Sequence, residues 1–409
     1  MKYYFTFCLL LFVSFGIQSQ CPTGDLYFST QEELDSFRLK YPDCTVLAGN
    51  VFVRSRVRNL LPLSRIKEIQ GDLIFNNNSL LVNMAGLESL KVVGKNLTII
   101  NNNVLTDLKG LKGLQEIGGG LQIGTHYNNT TGQQFNSISS LSGLRKIGTY
   151  LTVSSNDYLT TLDGLQGLTE IPGSVTISNN LYLNSIEALS GIKRVGDVLS
   201  LYNLRVLSNL KGLENLETVG SQLVITAIGE LEDLKPLRNL KKIGDKLQIN
   251  FNSKLKSLQG IDSLDYRSIS SLIIRDNILL SQCHVASICN YLRYSEQKPV
   301  VVTNNLADCN SSQEITAHCG IVNVLDVDDE NVIRLIFNPY NESLSITAKD
   351  IFISKVEIIF INTELVYSSS FSSPVSEIEI RVPLLTSGVY IARMMLSDGR
   401  VINKKFIKD

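Results

Sequence analysis

The chain carries no surplus of either charge, with 38 Lys+Arg against 39 Asp+Glu. Without a net field, neither nucleic acid nor an anionic membrane is selected as a partner, and recognition falls to local surface. Past the leader there is no uninterrupted run of the ~20 apolar residues a spanning helix needs, so no membrane span is expected in the mature chain. There is no Cys-x-x-Cys pair, and only His126, His284 and His318 could join cysteines around zinc. No metal site and no cofactor is expected. Cysteine is missing altogether between Cys44 and Cys283. What remains is a 409-residue chain, 44% hydrophobic and 19% charged, too long for one ordinary domain and too apolar for disorder.

Lys2 precedes an apolar run from Phe5 to Ile17, followed by Gln18, Ser19 and Gln20. This pattern predicts a secretory signal peptide over residues 1–19. Cys21 follows Gln20, a poor fit to the small residue that lipoprotein processing requires, so lipidation is not expected. Export removes Cys8 and leaves Cys21, Cys44, Cys283, Cys289, Cys309 and Cys319, an even set bound for an oxidising compartment. Their placement predicts disulfides that cap the two ends of a cysteine-free middle. The four late cysteines admit three pairings, of which Cys283 with Cys309 and Cys289 with Cys319 is preferred.

The middle repeats with a period of 24 residues. An apolar-x-apolar triplet begins at Leu73, Leu97, Leu121, Leu151, Val175, Leu199, Leu223, Leu247 and Leu272, with a weaker copy at Val51. The exceptions are a step of 30 after Leu121, from a polar insertion within His126 to Phe135, and one of 25 at the end. Each triplet reads as a short strand with alternate side chains inward, and stacking makes these strands a parallel sheet. A lone unit buries about six or seven aliphatic side chains at ~1.5 to 3 kcal/mol each, against ~1 to 2 kcal/mol per residue to order its backbone. Only stacking closes that balance, so the array is expected to be one elongated body with sealed ends. Asparagine recurs five residues after the triplet start, at Asn78, Asn102, Asn156, Asn180, Asn252 and Asn277. A side-chain amide there is expected to satisfy turn backbone in its own and adjacent coils.

At the front, Thr30 and Glu33 form a capping-box signature opening a helix with Leu34 and Phe37 on one side. At the back, Ser281 is expected to cap a helix through Cys283, Cys289 and Tyr291, and Pro299 to Thr303 reads as a strand. These features resemble the receptor L-domain-like relatives of the leucine-rich repeat superfamily over residues 20–320. The likeness is carried by the paired end cysteines, the Gly49-Asn50-Val51-Phe52-Val53 run and the recurring Leu-x-Gly-Leu-x-x-Leu-x-x-Ile-Gly phrase. It implies a right-handed solenoid used in extracellular recognition.

From Ile333 the period vanishes, and Lys355–Phe360 and Glu377–Val382 alternate like strands of a small β-sandwich, here of immunoglobulin-like type. Residues 325–409 resemble the C-terminal sorting domain of type IX secretion substrates in Bacteroidetes-like bacteria. The matching residues are Asn338 and Pro339, Gly388 and Tyr390, Gly399, and the basic close at Lys404 and Lys405. The resemblance implies the type IX machinery as partner and a secreted or surface-attached destination. The fold expected overall is mainly β: a disulfide-capped leucine-rich solenoid followed by the sandwich.

The middle triplet position runs Phe52, Ile74, Thr98, Gln122, Thr152, Thr176, Ser200, Val224, Gln248 and Ile273, and holds no carboxylate, histidine or lysine. Solenoid hydrolases and lyases need acids, bases or calcium-binding carboxylates on such a face, so no enzyme is expected. Asp72, Lys246 and Arg275 in neighbouring columns lie too far apart in the stack to cooperate. His126 is expected to be solvated. The candidate ligand-binding residues are Gln122, Thr152, Thr176 and Gln248 in the column, with Tyr150 and Tyr202 flanking it as stacking anchors. The expected function is binding of an extracellular protein or glycan; the alternative is a passive structural or adhesive component of the cell surface.

Overall fold

The computed structural model describes residues 21–124, 136–294, 298–319, 333–338, 342–348, 351–360, 364–382, 385–386 and 388–408. The leader at 1–19, the insertion from His126 to Phe135, and Pro339 lie outside them. The chain forms two compact units, Met1–Cys319 and Gly320–Asp409.

In the first unit twelve strands, from Leu26–Thr30 to Val300–Thr303, make a sheet in which each strand pairs in parallel with that of the next coil. Register follows the period: Leu73, Leu97, Leu121, Leu151 and Val175 are successive partners. The first and third triplet residues are buried, as with Leu73 and Phe75 or Leu223 and Ile225. Alternation fixes this, because a one-residue slip would turn every leucine to water. Two residues past the triplet the backbone turns through the left-handed region, at Asn77, Asn101, Ser155, Asn179, Asn203, Ala227, Phe251 and Asp276 among others.

The other side of each coil carries a two-residue strand, and these form two parallel sheets, of five strands from Val46–Leu47 to Lys146–Ile147 and of four from Glu170–Ile171 to Lys242–Ile243. Glycines close these coils where backbones touch: a Cβ on Gly220 would collide with the Gly196 carbonyl of the preceding coil. One continuous aliphatic core runs from Phe28 to Cys319.

Asparagines line the turn side of that core. Asn102 Oδ1 accepts the backbone N–H of Asn78 at 3.0 Å, and the Asn102 amide donates to the carbonyls of Phe75 and Ile100. Asn180 serves Asn156 in the same way, and Asn277 serves Asn252. Between these runs, Leu204 and Ile228 occupy the position and pair through extended six-residue strands instead.

Disulfides join Cys21 to Cys44, Cys283 to Cys309 and Cys289 to Cys319. The front helix is Gln31–Lys40, with Thr30 as N-cap, the reciprocal Glu33 bond present, and Leu34 and Phe37 buried. The back helix is shorter than expected. It spans Ala286–Tyr294, so Ser281 does not cap it and Cys283 precedes it. The reason is pairing: Gln282 bridges Ser257 in parallel and its carbonyl accepts the Leu258 N–H at 2.8 Å, which keeps this stretch in the stack. A further helix, Ser312–His318, was not anticipated, although Ser311 and Glu314 carry its capping signal.

The second unit has two antiparallel sheets. One orders Ile333–Asn338, Ser343–Ala348 and Glu377–Arg381; the other orders Leu365–Val375, Ile353–Phe360, Gly388–Leu396 and Val401–Lys408. Inward residues such as Leu344, Ile346, Ile358, Ala392 and Met394 form its core.

Candidate functional site

Three outward positions per strand build the large face of the twelve-stranded sheet. The central column is continuous in register: Tyr27, Phe52, Ile74, Thr98, Gln122, Thr152, Thr176, Ser200, Val224, Gln248, Ile273 and Val301. Structure extends the column by one residue at each end. Tyr27 and Val301 belong to triplets at Leu26 and Val300 that fall outside the regular spacing.

Gln122, Thr176 and Gln248 are half-buried in this column, and Gln122 donates to the Gly124 carbonyl at 3.2 Å. Thr152 shares the register but is only 5% exposed, so it is not displayed as the strand pattern implied. Its neighbour Ser154 is also buried and shares a 2.8 Å hydroxyl bond with Ser178.

Tyr150 and Tyr202 sit at opposite ends of their strands, Tyr150 before the triplet and Tyr202 after it, two coils apart. At ~3.3 Å per residue and ~4.8 Å per strand their backbones stand roughly 16 Å apart, so they frame the face and do not act as a pair. Tyr202 is 45% exposed. Tyr150 is half-buried and its ring lies where Gly120 lacks a side chain. Burial, and then the Asp72 carboxylate, push the Tyr150 hydroxyl above its ordinary range. Tyr150 is thus seated as a wedge, and it ends a ladder in which Asn50, Asp72 and Asn96 each accept the N–H of the next coil at 2.8 to 2.9 Å.

Two aromatic-cation groups on this face were not found in the sequence. Tyr27 stacks on Phe52, centroids 4.6 Å apart, with the Arg54 guanidinium 5.4 Å from the Tyr27 ring centre. At the other end Arg275 lies 5.5 Å from the ring centre of Phe251, which is half exposed and has a φ of 55°. Left-handed geometry is uncommon for a bulky residue, and no sequence rule places Phe there.

Charge is gathered on the short-strand side, where Lys146 meets Glu116 at 2.6 Å and Arg194 meets Glu170 at 3.0 Å. Shallow grooves of about 330 to 440 Å³ lie between these residues. At the back cap the His284 and His318 rings are 6.2 Å apart, and His318 Nε2 lies 3.5 Å from Asp308. Among the described residues no group of three His, Cys, Asp or Glu side chains could hold a metal ion.

In the second unit, Asn338 closes its strand opposite Ser343. Gly388 opens the strand that carries Tyr390. Tyr390 is buried between Phe360 and Phe406, and its hydroxyl donates to the Thr386 carbonyl at 2.7 Å. Gly399 takes a left-handed turn (φ 87°) beside the Asp398–Arg400 ion pair. Lys404 lies opposite Ala392 and Lys405 opposite Ile391 on the last strand. Residues 336–409 match the protein-family profile described as a secretion system C-terminal sorting domain.

The chain is a secreted or cell-surface bacterial protein. It leaves the cell by the type IX route, and its sorting domain makes the secretion machinery a partner. No curated protein matches it. Among the described residues, no helix is long and apolar enough to cross a membrane. The motif residues of the tail divide into two kinds: Gly388, Tyr390 and Gly399 open, fill or turn the strands of the small antiparallel domain, while Lys404 and Lys405 lie on its last strand, Lys405 exposed.

Proposed function

We propose that this is an exported recognition protein, a receptor L-domain-like leucine-rich solenoid of right-handed coil, which binds an extracellular protein or glycan through the outward face of its large sheet. The observation that carries the reading is the central column: twelve in-register positions from Tyr27 to Val301, none of them ionisable except Tyr27. Such a column offers hydroxyl and amide hydrogen bonds, with Tyr27 and Phe52 at one end and no charge of its own, while Arg54 and Arg275 stand in the neighbouring column. A catalytic role has no support there, since acid-base work needs convergent titratable groups. Residues 325–409 act as an address in this reading, with removal near residue 325 on export.

The test is saturable binding by the exported protein on glycan and host-protein panels. Binding weakened by Tyr202→Ala supports recognition; none on either panel favours a passive surface component. Mass spectrometry of the exported protein checks the end near residue 325.

A further inference from the structure

We propose that Tyr202, Thr226, Asn250 and Phe251 form a saccharide-binding subsite that takes an uncharged hexopyranose unit of a glycan; this rests on the recognition reading and names its ligand class. In the outward column just before the left-handed turn, Tyr202, Thr226, Asn250 and Arg275 are successive register partners. Thr226 is 7% exposed and Asn250 2%, yet Thr226 Oγ1 and Asn250 Oδ1 have no hydrogen-bond partner. Two neighbouring buried oxygens left unbonded cost stability, and each calls for a partner from outside the chain; Thr226 and Asn250 differ from the other such atoms in being successive partners in one outward column. The same column shows the ordinary solution three coils earlier, where Ser154 and Ser178 bond each other.

The surroundings fit a sugar. In-register neighbours stand ~4.8 Å apart, a spacing that adjacent ring hydroxyls span with one bond to each oxygen. Tyr202 on one side and Phe251 on the other are 45% and 50% exposed, and ring faces pack on the C–H face of a pyranose. A peptide added as a strand would need a free edge, and both strands here have their two edges taken by neighbours. Arg275 has its charge met by Asp276 at 3.7 Å, which favours an uncharged ligand. Reaching the oxygens requires an exposed neighbour to turn aside. Register and sequence supply Tyr202, Phe251 and Arg275, whose side chain is 46% exposed.

The test is calorimetric titration of the whole exported protein with neutral trisaccharides of glucose, mannose, galactose and N-acetylglucosamine, and with trigalacturonate. At least one neutral sugar is expected to bind, with affinity falling about tenfold, one hydrogen bond's worth, in Thr226→Val, Asn250→Leu and Tyr202→Ala. In Thr226→Val the melting temperature should hold or rise, because an unbonded hydroxyl is replaced by a methyl; loss of binding there cannot be misfolding. Neutral-sugar binding that survives all three changes but falls with Gln122→Ala or Thr176→Ala overturns the subsite and leaves the recognition reading standing. Binding of trigalacturonate alone overturns the uncharged class. No sugar binding overturns the subsite, and only silence on protein panels as well removes the recognition reading.

Discussion

Asn277 Oδ1 accepts two hydrogen bonds from Asn252, from its backbone N–H at 3.0 Å and from its side-chain amide at 3.1 Å. Asn252 in turn accepts the Ile228 N–H at 2.9 Å and donates to the Ile225 carbonyl at 3.0 Å. The ladder therefore completes turn backbone that the strands cannot reach. Asn252→Leu keeps the branch at Cγ, leaves these groups unbonded and adds bulk at a buried site, so it should lose roughly 2 to 4 kcal/mol. The measurement is a urea midpoint shift at unchanged slope; a shift under ~0.5 kcal/mol would mean that strand extension, as at Leu204, replaces the amide at no loss.

The triplet register, the large parallel sheet and the role of the asparagines were legible because a fixed period assigns each residue a face before any coordinates are known; the two-residue strands on the other side were not. Legibility ended where a residue's surroundings come from other coils. Thr152 occupies a displayed position yet is buried, and Tyr150 reads as an anchor but fills the space left by Gly120. Ser281 looked like an N-cap, but pairing of Gln282 with Ser257 holds its segment in the stack. Thr226 and Asn250 are ordinary polar residues in the sequence; only the structure shows that they are adjacent and buried, with Thr226 Oγ1 and Asn250 Oδ1 unbonded. In the tail, the order of Asn338, Gly388, Tyr390, Gly399, Lys404 and Lys405 was readable without the fold, and the family match covers all six.

Ala227 has a φ of 56° at the turn position where most coils carry Asn, Ser or Asp. A Cβ in the left-handed region costs about 1 kcal/mol, and glycine does not pay it. Ala227→Gly should therefore raise stability by ~0.5 to 1 kcal/mol despite the added freedom of its unfolded chain. Glycine elsewhere in a strand or helix lowers stability, so a rise in the thermal midpoint is a sign specific to this geometry.

Cys289–Cys319 ties the Ala286–Tyr294 helix to the end of the Ser312–His318 helix, closing a separation of 30 residues. In the chain-entropy account a loop of that size is worth about 3 to 4 kcal/mol. The double change Cys289→Ala, Cys319→Ala should lower the unfolding midpoint accordingly. Because coils stack as nearest neighbours, the loss should begin at the back cap. Hydrogen exchange should then quicken in Ser271–Arg275 and Val300–Thr303 before it does in Leu97–Ile100; uniform quickening would contradict a local cap.

Glu357 lies on the second unit's four-stranded sheet with its side chain 14% exposed, bonded to Lys355 at 2.6 Å and 3.4 Å from Arg393. The Lys355 hydrogen bond is the main cause that holds its carboxyl below the ordinary value near 4.5; the charges of Lys355 and Arg393 add to it, and burial opposes it. A carboxyl depressed in the folded state contributes stability that is fully present above its unfolded value and is lost as pH falls through its folded value. Glu357→Gln should therefore cost roughly 1 to 3 kcal/mol at neutral pH, the range for charge-assisted hydrogen bonds. That gap should narrow as pH drops below about 4.5 and vanish once the wild-type carboxyl is protonated. Urea titrations of the whole chain at pH 7, 5 and 3, followed by amide signals of Ile353–Phe360 and Gly388–Leu396, measure it. A difference that stays constant with pH would assign Glu357 a packing role and remove charge from the account.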